Sequence, residues 1–172
     1  DQFIDFTKHR NLTFFEDITQ NLNDKVIFID IDGTLLPDSE CCLGTGVIET
    51  VRALKKRNKV YLCTNSRNHA RNKKIESQLH LKIINLHHKK PSKKILCSIP
   101  LANNRKLVVI GDKYLTDARF AKNIGADLII TKRKVSGRET LKIKLFNFID
   151  DFIYNIVRFF SNIIKPWTAK NI

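Results

Sequence analysis

The stretch VIFIDIDGTLLPD, residues 26 to 38, places an apolar run directly before two aspartates, Asp30 and Asp32. The run shows no alternation of apolar and polar residues, which is typical of a strand buried on both faces in a parallel sheet. Two acids at the end of such a strand have no evident role in its packing. Their role depends on which residues follow the other strands of the chain.

Three later runs repeat the pattern: VYLCT (60–64), LVVIG (107–111) and ADLIIT (126–131). Helical periodicity lies between the strands, over 47–57, 68–79, 92–99 and 116–124. Strands that alternate with helices predict an α/β fold with a doubly wound, Rossmann-like parallel sheet. Ligands of such sheets bind beyond the carboxyl ends of the strands, where the winding direction reverses.

Polar residues follow the other strands as well. Thr64, Asn65 and Ser66 end the second, Asp112 follows the third in GDKYLTD with Asp117 five residues later, and Lys90 lies in KKPS before a helix. We expect four carboxylates, one hydroxyl and one ammonium to meet at one edge of the sheet. Clustered acids repel unless a cation lies among them, and a set of oxygen ligands suits Mg²⁺. The chemistry that these groups predict is phosphoryl transfer.

The segments DIDGT, TNS, KKP and GDKYLTD, in this order and spacing, resemble the four motifs of the haloacid dehalogenase (HAD) superfamily of phosphohydrolases. The resemblance covers residues 26 to about 131. It implies that Asp30 is the nucleophile that forms an aspartyl-phosphate, and that Asp32 is the general acid and base.

The same resemblance implies the remaining roles. It assigns Mg²⁺ to Asp30, Asp32, Asp112 and Asp117, and the substrate phosphate to Gly33, Thr64, Asn65 and Lys90. Each residue also has a structural interpretation, since Asp32-Gly33 fits a turn, Thr64, Asn65, Asp112 and Asp117 fit helix caps, and Lys90 fits an ordinary surface lysine. The ordered quartet favours the catalytic interpretation.

The gaps between the motifs leave no room for an inserted cap domain, so we expect an open site and a large phosphorylated substrate. HHKKP and VIGDKYLTDARFAKNIGADLII, with the lead-in FFEDITQNLNDKVIFIDIDGTL, resemble the capless subclass III branch that includes phosphatidylglycerophosphate phosphatases of bacteria and mitochondria. Those enzymes commonly have Asn where this chain has Gly33. That departure bears on the substrate more than on the mechanism, because Gly is also found there in histidinol-phosphate and polynucleotide phosphatases.

We expect two units, a phosphatase core over residues 1–140 and a helical extension over 141–172. In the extension, apolar residues surround most of a helix: Leu145, Phe148, Ile149, Phe152, Ile153, Ile156, Val157, Phe159, Phe160, Ile163 and Ile164. A narrow polar stripe completes it: Lys144, Asn147, Asp151, Asn155, Arg158 and Asn162. Such a helix must bury its broad face, and residues 141–164 are expected to pack on an anionic membrane surface, a partner protein or the chain's own core. Trp167 after Pro166 adds a weak interfacial signal.

The chain is strongly basic, with a net charge of +14. Residues 55–94 hold 13 lysines and arginines and one acid, Glu76, a net charge of +12. An anionic partner is expected, whether RNA, lipid or a phosphorylated substrate, although a solvated basic face fits equally well. The four cysteines have no zinc-site spacing.

Three functions remain open. The first is a Mg²⁺-dependent phosphatase of a large or lipid substrate such as phosphatidylglycerophosphate. The second is a phosphatase of polynucleotide ends or small molecules, and the third is a non-catalytic, RNA-binding subunit of a ribonucleoprotein such as an organellar ribosome. With no secretory signal or membrane-spanning run, we expect an intracellular protein, and consider a mitochondrial site at the inner membrane or in a matrix complex.

Overall fold

The computed structural model describes residues 12–18, 22–84, 87–100 and 105–168, with the side chains of the last helix described to Phe160. The strands are β1 (Val26–Asp30), β2 (Lys59–Cys63), β3 (Leu107–Gly111) and β4 (Asp127–Ile130). The α-helices are α1 (Thr45–Arg57), α2 (His69–Leu79), α3 (Arg119–Ile124) and α4 (Leu141–Thr168). Short 3₁₀ segments cover Phe15–Asp17 and Lys93–Ser98.

Among the described residues, four parallel strands form one sheet in the order β2-β1-β3-β4. The chain first moves from β1 outward to β2 and then crosses back to place β3 on the other side of β1. The winding therefore reverses between β1 and β3. In the register, Asp30 pairs with Cys63 and Ile29 pairs with Ile110. The predicted doubly wound α/β fold is confirmed.

Both faces of the sheet are covered, which explains the unbroken apolar strands. Ile27 and Ile29 of β1 pack on one face with Val47 and Val51 of α1. Phe28 points to the opposite face, where its ring lies edge-on to Phe120 of α3 with 5.8 Å between centroids. Because successive strand residues face opposite sides, β1 is buried at every position.

Two predicted helices differ from the structure. The segment predicted as a helix over 92–99 is the 3₁₀ segment Lys93–Ser98, whose first turn is closed by the Ser92 hydroxyl accepting the Lys94 N–H at 3.3 Å. The helix predicted over 116–124 begins earlier, with a π-helical turn over Tyr114–Ala118 that leads into α3. The wider turn extends back because Asp150 of α4 accepts the N–H groups of Tyr114 and Leu115, a contact that local sequence does not encode.

The last helix, α4, begins at Leu141 as predicted for the extension, while the division of the chain into two units remains a prediction. Its Asn147 and Asp150 are buried, and Ile143, Ile153 and Val157 are half-buried. Predictions for the side chains of Asn162, Ile163, Ile164 and Trp167 fall outside the described residues. Within the part of the chain that the structure describes, the search for a helix that can span a membrane finds none.

Candidate active site

Three carboxylates converge at the point where the winding reverses. Asp30 is the last residue of β1, Asp112 follows Gly111 at the end of the adjacent β3, and Asp117 lies in the π-helical turn. One oxygen from each lies within 4.8 Å of the others. All three side chains are buried. The sheet topology thus brings together residues separated by more than eighty positions in the chain.

Lys90 lies between two of these acids. Its Nζ contacts a carboxylate oxygen of Asp30 and lies 2.6 Å from Oδ1 of Asp117. Asn65, two residues after β2, fixes the backbone of Lys90: its Oδ1 accepts the Lys90 N–H at 2.8 Å and its amide donates to the Lys90 carbonyl at 3.0 Å. Asn65 and Lys90, each predicted to bind the substrate phosphate, are therefore in contact, and the side chain of Asn65 holds the main chain of the lysine in place.

Thr34 connects the two strand ends. Its hydroxyl lies 3.3 Å from Oδ2 of Asp30 and 3.2 Å from Oδ1 of Asp112, and the residue is fully buried. A hydroxyl has one hydrogen to donate, so it serves one carboxylate at a time. Thr34 therefore lies between the two acids and can donate to either of them.

Asp112 has two basic partners. Nε of Arg133 donates to its Oδ2 at 2.6 Å, and Nζ of Lys113 lies 3.2 Å from the same oxygen. The Lys113 ammonium also donates to the main-chain carbonyl of Asp32 at 2.5 Å. The three buried acids of the cluster are thus accompanied by three basic side chains, Lys90, Lys113 and Arg133.

The carboxylate of Asp32 lies apart from this cluster. Its Oδ2 accepts the hydroxyl of Thr64, and its Oδ1 lies 2.7 Å from Nη1 of Arg71 in α2. Arg71 is itself held by the carbonyl of Glu40, which accepts its Nε–H at 2.5 Å. The predicted residues Asp32 and Thr64 are therefore in contact with each other, while the three-carboxylate group is formed by Asp30, Asp112 and Asp117.

Gly33 directly follows the second aspartate of DIDGT and has a backbone conformation that favours glycine. Its φ is +94°, and a Cβ atom at this position would lie 2.5 Å from Oδ2 of Asp112. Both the positive φ and the close carboxylate oppose any side chain. The absence of a side chain at residue 33 allows the β1 loop to approach Asp112.

The charges of the cluster shift its ionisation. Burial and the neighbouring Asp117 carboxylate raise the pKa of Asp30 well above its usual range, because one Lys90 ammonium cannot compensate two buried acids. Burial also acts to raise the pKa of Asp112, but Lys113 and Arg133 outweigh it and hold that pKa below its usual range. The Lys90 pKa is raised, since Asp117 and Asp30 outweigh the effect of burial.

The donor set fits a magnesium ion. Asp30, Asp112 and Asp117 supply oxygen atoms, which hard divalent cations prefer, and their mutual distances allow them to share one ion. A cation there would also favour the ionised form of Asp30, which burial opposes. These three residues would hold the metal.

A cavity of about 650 Å³ opens above the cluster. Its floor includes Asp30, Asp32, Lys90 and Lys113. One wall comes from α4, through Lys142, Ile143, Leu145, Phe146, Asn147 and Ile149. The sequence predicted an open site without a cap domain, and did not predict that α4 forms a wall beside it.

Sequence reasoning missed four polar residues of the site. Thr34 lies within the quoted DIDGT motif, Lys113 directly follows Asp112, and Arg133 lies three residues beyond β4. All three follow the carboxyl end of a strand, so the reasoning that selected Asp112 could have identified them as well. Arg71 lies inside α2 and gave no signal. The basic residues of segment 55–94 fall into two groups. Arg71 and Lys90 are buried in the site, whereas most of the others are exposed.

Comparison with protein families gives one match. Residues 86–153 match the family model described as HAD-hydrolase-like. The matched range contains Lys90, Asp112, Asp117, Arg133 and Asp150. Asp30 and Asp32 lie outside it, and the strand that ends at Asp30, β1, pairs with β3 of the matched range.

Neither of the other two comparisons gives a relative. No curated protein matches the chain. No solved structure matches it either.

Proposed function

We propose that this protein is a Mg²⁺-dependent phosphomonoester hydrolase that works through an aspartyl-phosphate intermediate. The observation that supports it best is the meeting of Asp30, Asp112, Asp117 and Lys90 at the reversal point of a parallel sheet, within a chain whose residues 86–153 are HAD-hydrolase-like. A magnesium ion at the three carboxylates would draw charge from the phosphoryl oxygens. The protein's own side chains perform the remaining steps.

In the first step, a carboxylate oxygen of Asp30 attacks phosphorus and the bond from phosphorus to the leaving oxygen breaks. Asp32 gives its proton to that oxygen, so that a neutral alcohol departs. In the second step, Asp32 takes a proton from water, whose oxygen attacks phosphorus and releases Asp30 and inorganic phosphate. Lys90 stabilises the negative charge on the phosphoryl oxygens, and Thr64 and Arg71 orient Asp32.

The substrate that we favour is a large or lipid phosphomonoester such as phosphatidylglycerophosphate. The cavity supports this choice because its floor is charged whereas Ile143, Leu145, Phe146 and Ile149 bring apolar groups to one wall. A phosphate joined to an apolar body matches both surfaces. The resemblance of the motifs to the capless phosphatidylglycerophosphate phosphatases points in the same direction.

The basic segment 55–94 favours a second candidate, an RNA-binding scaffold in a ribonucleoprotein. Most of its basic residues are exposed and could contact RNA: Lys56, Arg57, Arg67, Lys73, Lys74, Lys82, Lys89, Lys93 and Lys94. A phosphatase of polynucleotide ends would use the same surface together with the acidic cluster. Intracellular and mitochondrial locations stay predictions.

One assay separates these functions. Phosphate release is measured with and without Mg²⁺ on phosphatidylglycerophosphate in detergent, a polynucleotide 3′-phosphate and p-nitrophenyl phosphate. Asp30→Asn should lower the rate by at least roughly 10³-fold, because it removes the nucleophile and preserves its size. Asp127→Asn, an exposed aspartate at the opposite end of the sheet, is the matched control and should keep the wild-type rate. Absence of Mg²⁺-dependent release from all three substrates would refute the hydrolase.

A further inference from the structure

The last helix of the structure is attached to the core by its polar side. The carboxylate of Asp150 accepts the N–H groups of Tyr114 at 3.0 Å and Leu115 at 2.7 Å, and pairs with Arg133 at 3.0 Å. The Asn147 carbonyl accepts a hydrogen bond from Arg133. Asp150 is 1% exposed. These hydrogen bonds and ion pairs hold α4 against the core, with Ile143, Ile153 and Val157 half-buried beside them, and most of the other apolar residues of the helix stay exposed.

The apolar residues of α4 form one continuous stripe on its solvent side. We call Leu145, Phe148, Ile149, Phe152, Ile156 and Phe159 the outer face of α4. Their spacing of three, four and seven residues places them on one side of a helix. The exposed fraction is 69% for Phe148, 60% for Phe152 and 62% for Phe159. A contiguous exposed apolar surface of this kind marks an interaction site.

Two features of the outer face indicate what covers it. The first is continuity with the candidate active site, because Leu145 and Ile149 belong to the outer face and also line the cavity above Asp30. Whatever lies on the outer face reaches the mouth of that cavity. The second feature is charge, since Lys89 and Lys142 line the same cavity and are both exposed. The occupant must combine apolar material with anionic groups.

We propose that the outer face of α4 lies on an anionic phospholipid surface, with Lys89 and Lys142 against the lipid phosphates at the rim of the cavity. A helix in this position lies along the interface with its apolar side chains among the acyl chains. The described part of α4 does not meet the requirements for a membrane span, which agrees with a surface position. The proposal deepens the proposed function and rests on it in one respect. If the protein is a phosphatase of lipids, a lipid phosphate held at the rim of the cavity is also the group that is hydrolysed.

Cosedimentation with vesicles tests the docking without any turnover. The full chain is mixed with phosphatidylcholine vesicles, with or without phosphatidylglycerol. We expect binding to the mixed vesicles that weakens as salt is added, since the lysine contacts are screened. The double variant Phe148→Ser/Phe152→Ser should weaken this binding by roughly tenfold or more, because both rings leave the acyl layer. Val135→Ser is the matched control, an apolar residue 64% exposed outside α4, and should bind as the wild type does.

Three results would overturn the proposal: no binding of the wild type to mixed vesicles, equal binding of the double variant, or a wild-type dimer that the double variant converts to a monomer. The third would show that a second copy covers the outer face, and light scattering after gel filtration measures it. Circular dichroism verifies folding. If the double variant is unfolded, Phe152→Glu alone replaces it, with the same expected loss of vesicle binding.

Hydrolysis is scored separately. If no phosphomonoester is hydrolysed with Mg²⁺ present, the proposed function is refuted. Vesicle binding then still tests whether the outer face of α4 lies on a lipid surface. Wild-type hydrolysis of p-nitrophenyl phosphate without vesicle binding would refute the docking alone.

Discussion

Nη2 of Arg133 lies 3.0 Å from Oδ2 of Asp150, and Nε of the same guanidinium lies 2.6 Å from Oδ2 of Asp112. Asp150 belongs to α4 and Asp112 belongs to the buried acid cluster. A single arginine after β4 therefore joins the last helix to the candidate metal site. The position of the cavity wall and the position of Asp112 depend on the same side chain.

This relationship predicts the effect of Asp150→Ala. The substitution removes the acceptor for two main-chain N–H groups and leaves Arg133 without its buried partner in α4. Hydrogen bonds to a charged group each contribute about 1.5–3 kcal/mol, so loss of the two main-chain bonds alone should lower the free energy of unfolding by about 3–6 kcal/mol. Urea unfolding measures it, and limited proteolysis should cut α4 faster in the variant.

Asp151→Ala is the matched control for that experiment. Asp151 also pairs with Arg133, at 2.9 Å, but its side chain is 61% exposed. An exposed pair contributes about 0.2–1 kcal/mol, so the control should remain close to the wild type. Equal losses in the two variants would mean that burial of Asp150 does not govern the attachment of α4.

The second prediction concerns Lys90, which contacts both Asp30 and Asp117. Lys90→Ala leaves two buried acids facing each other without their shared cation. Removal of one member of a buried ion pair costs about 3–5 kcal/mol, and we expect a loss of that size in urea unfolding. Added Mg²⁺ should stabilise this variant more than the wild type, because the ion then supplies the missing positive charge.

Lys94→Ala tests whether the loss depends on burial and not on net charge. Lys94 belongs to the same basic segment but is exposed, and its removal should change the free energy of unfolding by less than about 0.5 kcal/mol. A loss in Lys90→Ala no larger than in Lys94→Ala would contradict the ion-pair arrangement.

The fold could be predicted because the unbroken apolar composition of its strands indicates that both of their faces are buried. Val26 to Asp30 is apolar at every position before the acid, and the structure buries every one of those residues. The π-helical turn at Tyr114 was not predictable, since it depends on Asp150, which lies 36 residues away. Local periodicity cannot report such a partner.

The candidate site likewise contains residues that the sequence could predict and residues that it could not. Asp30, Asp112 and Lys90 follow strand ends or precede a helix, so topology alone predicted their meeting. Arg71 contacts Asp32 from within α2. The local sequence of a helix does not distinguish an arginine that is buried in a site from one that is exposed on the surface, so this contact could not be predicted. The wall formed by α4 could not be predicted either. Apolar residues such as Leu145 and Ile149 indicate that a surface is covered, but they do not identify the surface on which they pack.

The third prediction concerns Cys63, at the end of β2. Burial raises the pKa of its thiol to about 12, and the residue is 1% exposed. A raised pKa keeps the thiol protonated, so in the folded protein it should not react with iodoacetamide between pH 7 and about pH 10. Mass spectrometry of the alkylated protein should show Cys63 modified only after unfolding in urea.

The same shift has a consequence for stability. In the unfolded chain a cysteine loses its proton near pH 8.5, so above that pH the folded state holds more protons than the unfolded state. The contribution of Cys63 is complete below pH 8.5 and decreases as the pH rises toward 12, by about 1.4 kcal/mol per unit. Cys63→Ala should lower stability below pH 8.5 through its cavity and should flatten the decline above that pH.

Cys97→Ala provides the comparison, since Cys97 is exposed. In the wild type Cys97 should be alkylated at pH 8 without urea, and its removal should leave the pH dependence of stability unchanged. Fast alkylation of Cys63 in the folded protein would contradict the buried position of β2's last residue.

The fourth prediction separates backbone strain from contact with the acid cluster. Gly33 has a φ of +94° and a Cβ there would lie 2.5 Å from Oδ2 of Asp112, whereas Gly125 has a φ of +66° with open space around it. Alanine at a positive φ costs roughly 1–2 kcal/mol, which is the loss expected in urea unfolding for Gly125→Ala. Gly33→Ala should lose more, because its methyl group must displace the Asp112 carboxylate. That displacement should also weaken Mn²⁺ binding measured by calorimetry, while Gly125→Ala binds Mn²⁺ as the wild type does. Equal Mn²⁺ affinity in the two variants would show that the Asp112 carboxylate is not fixed against the β1 loop.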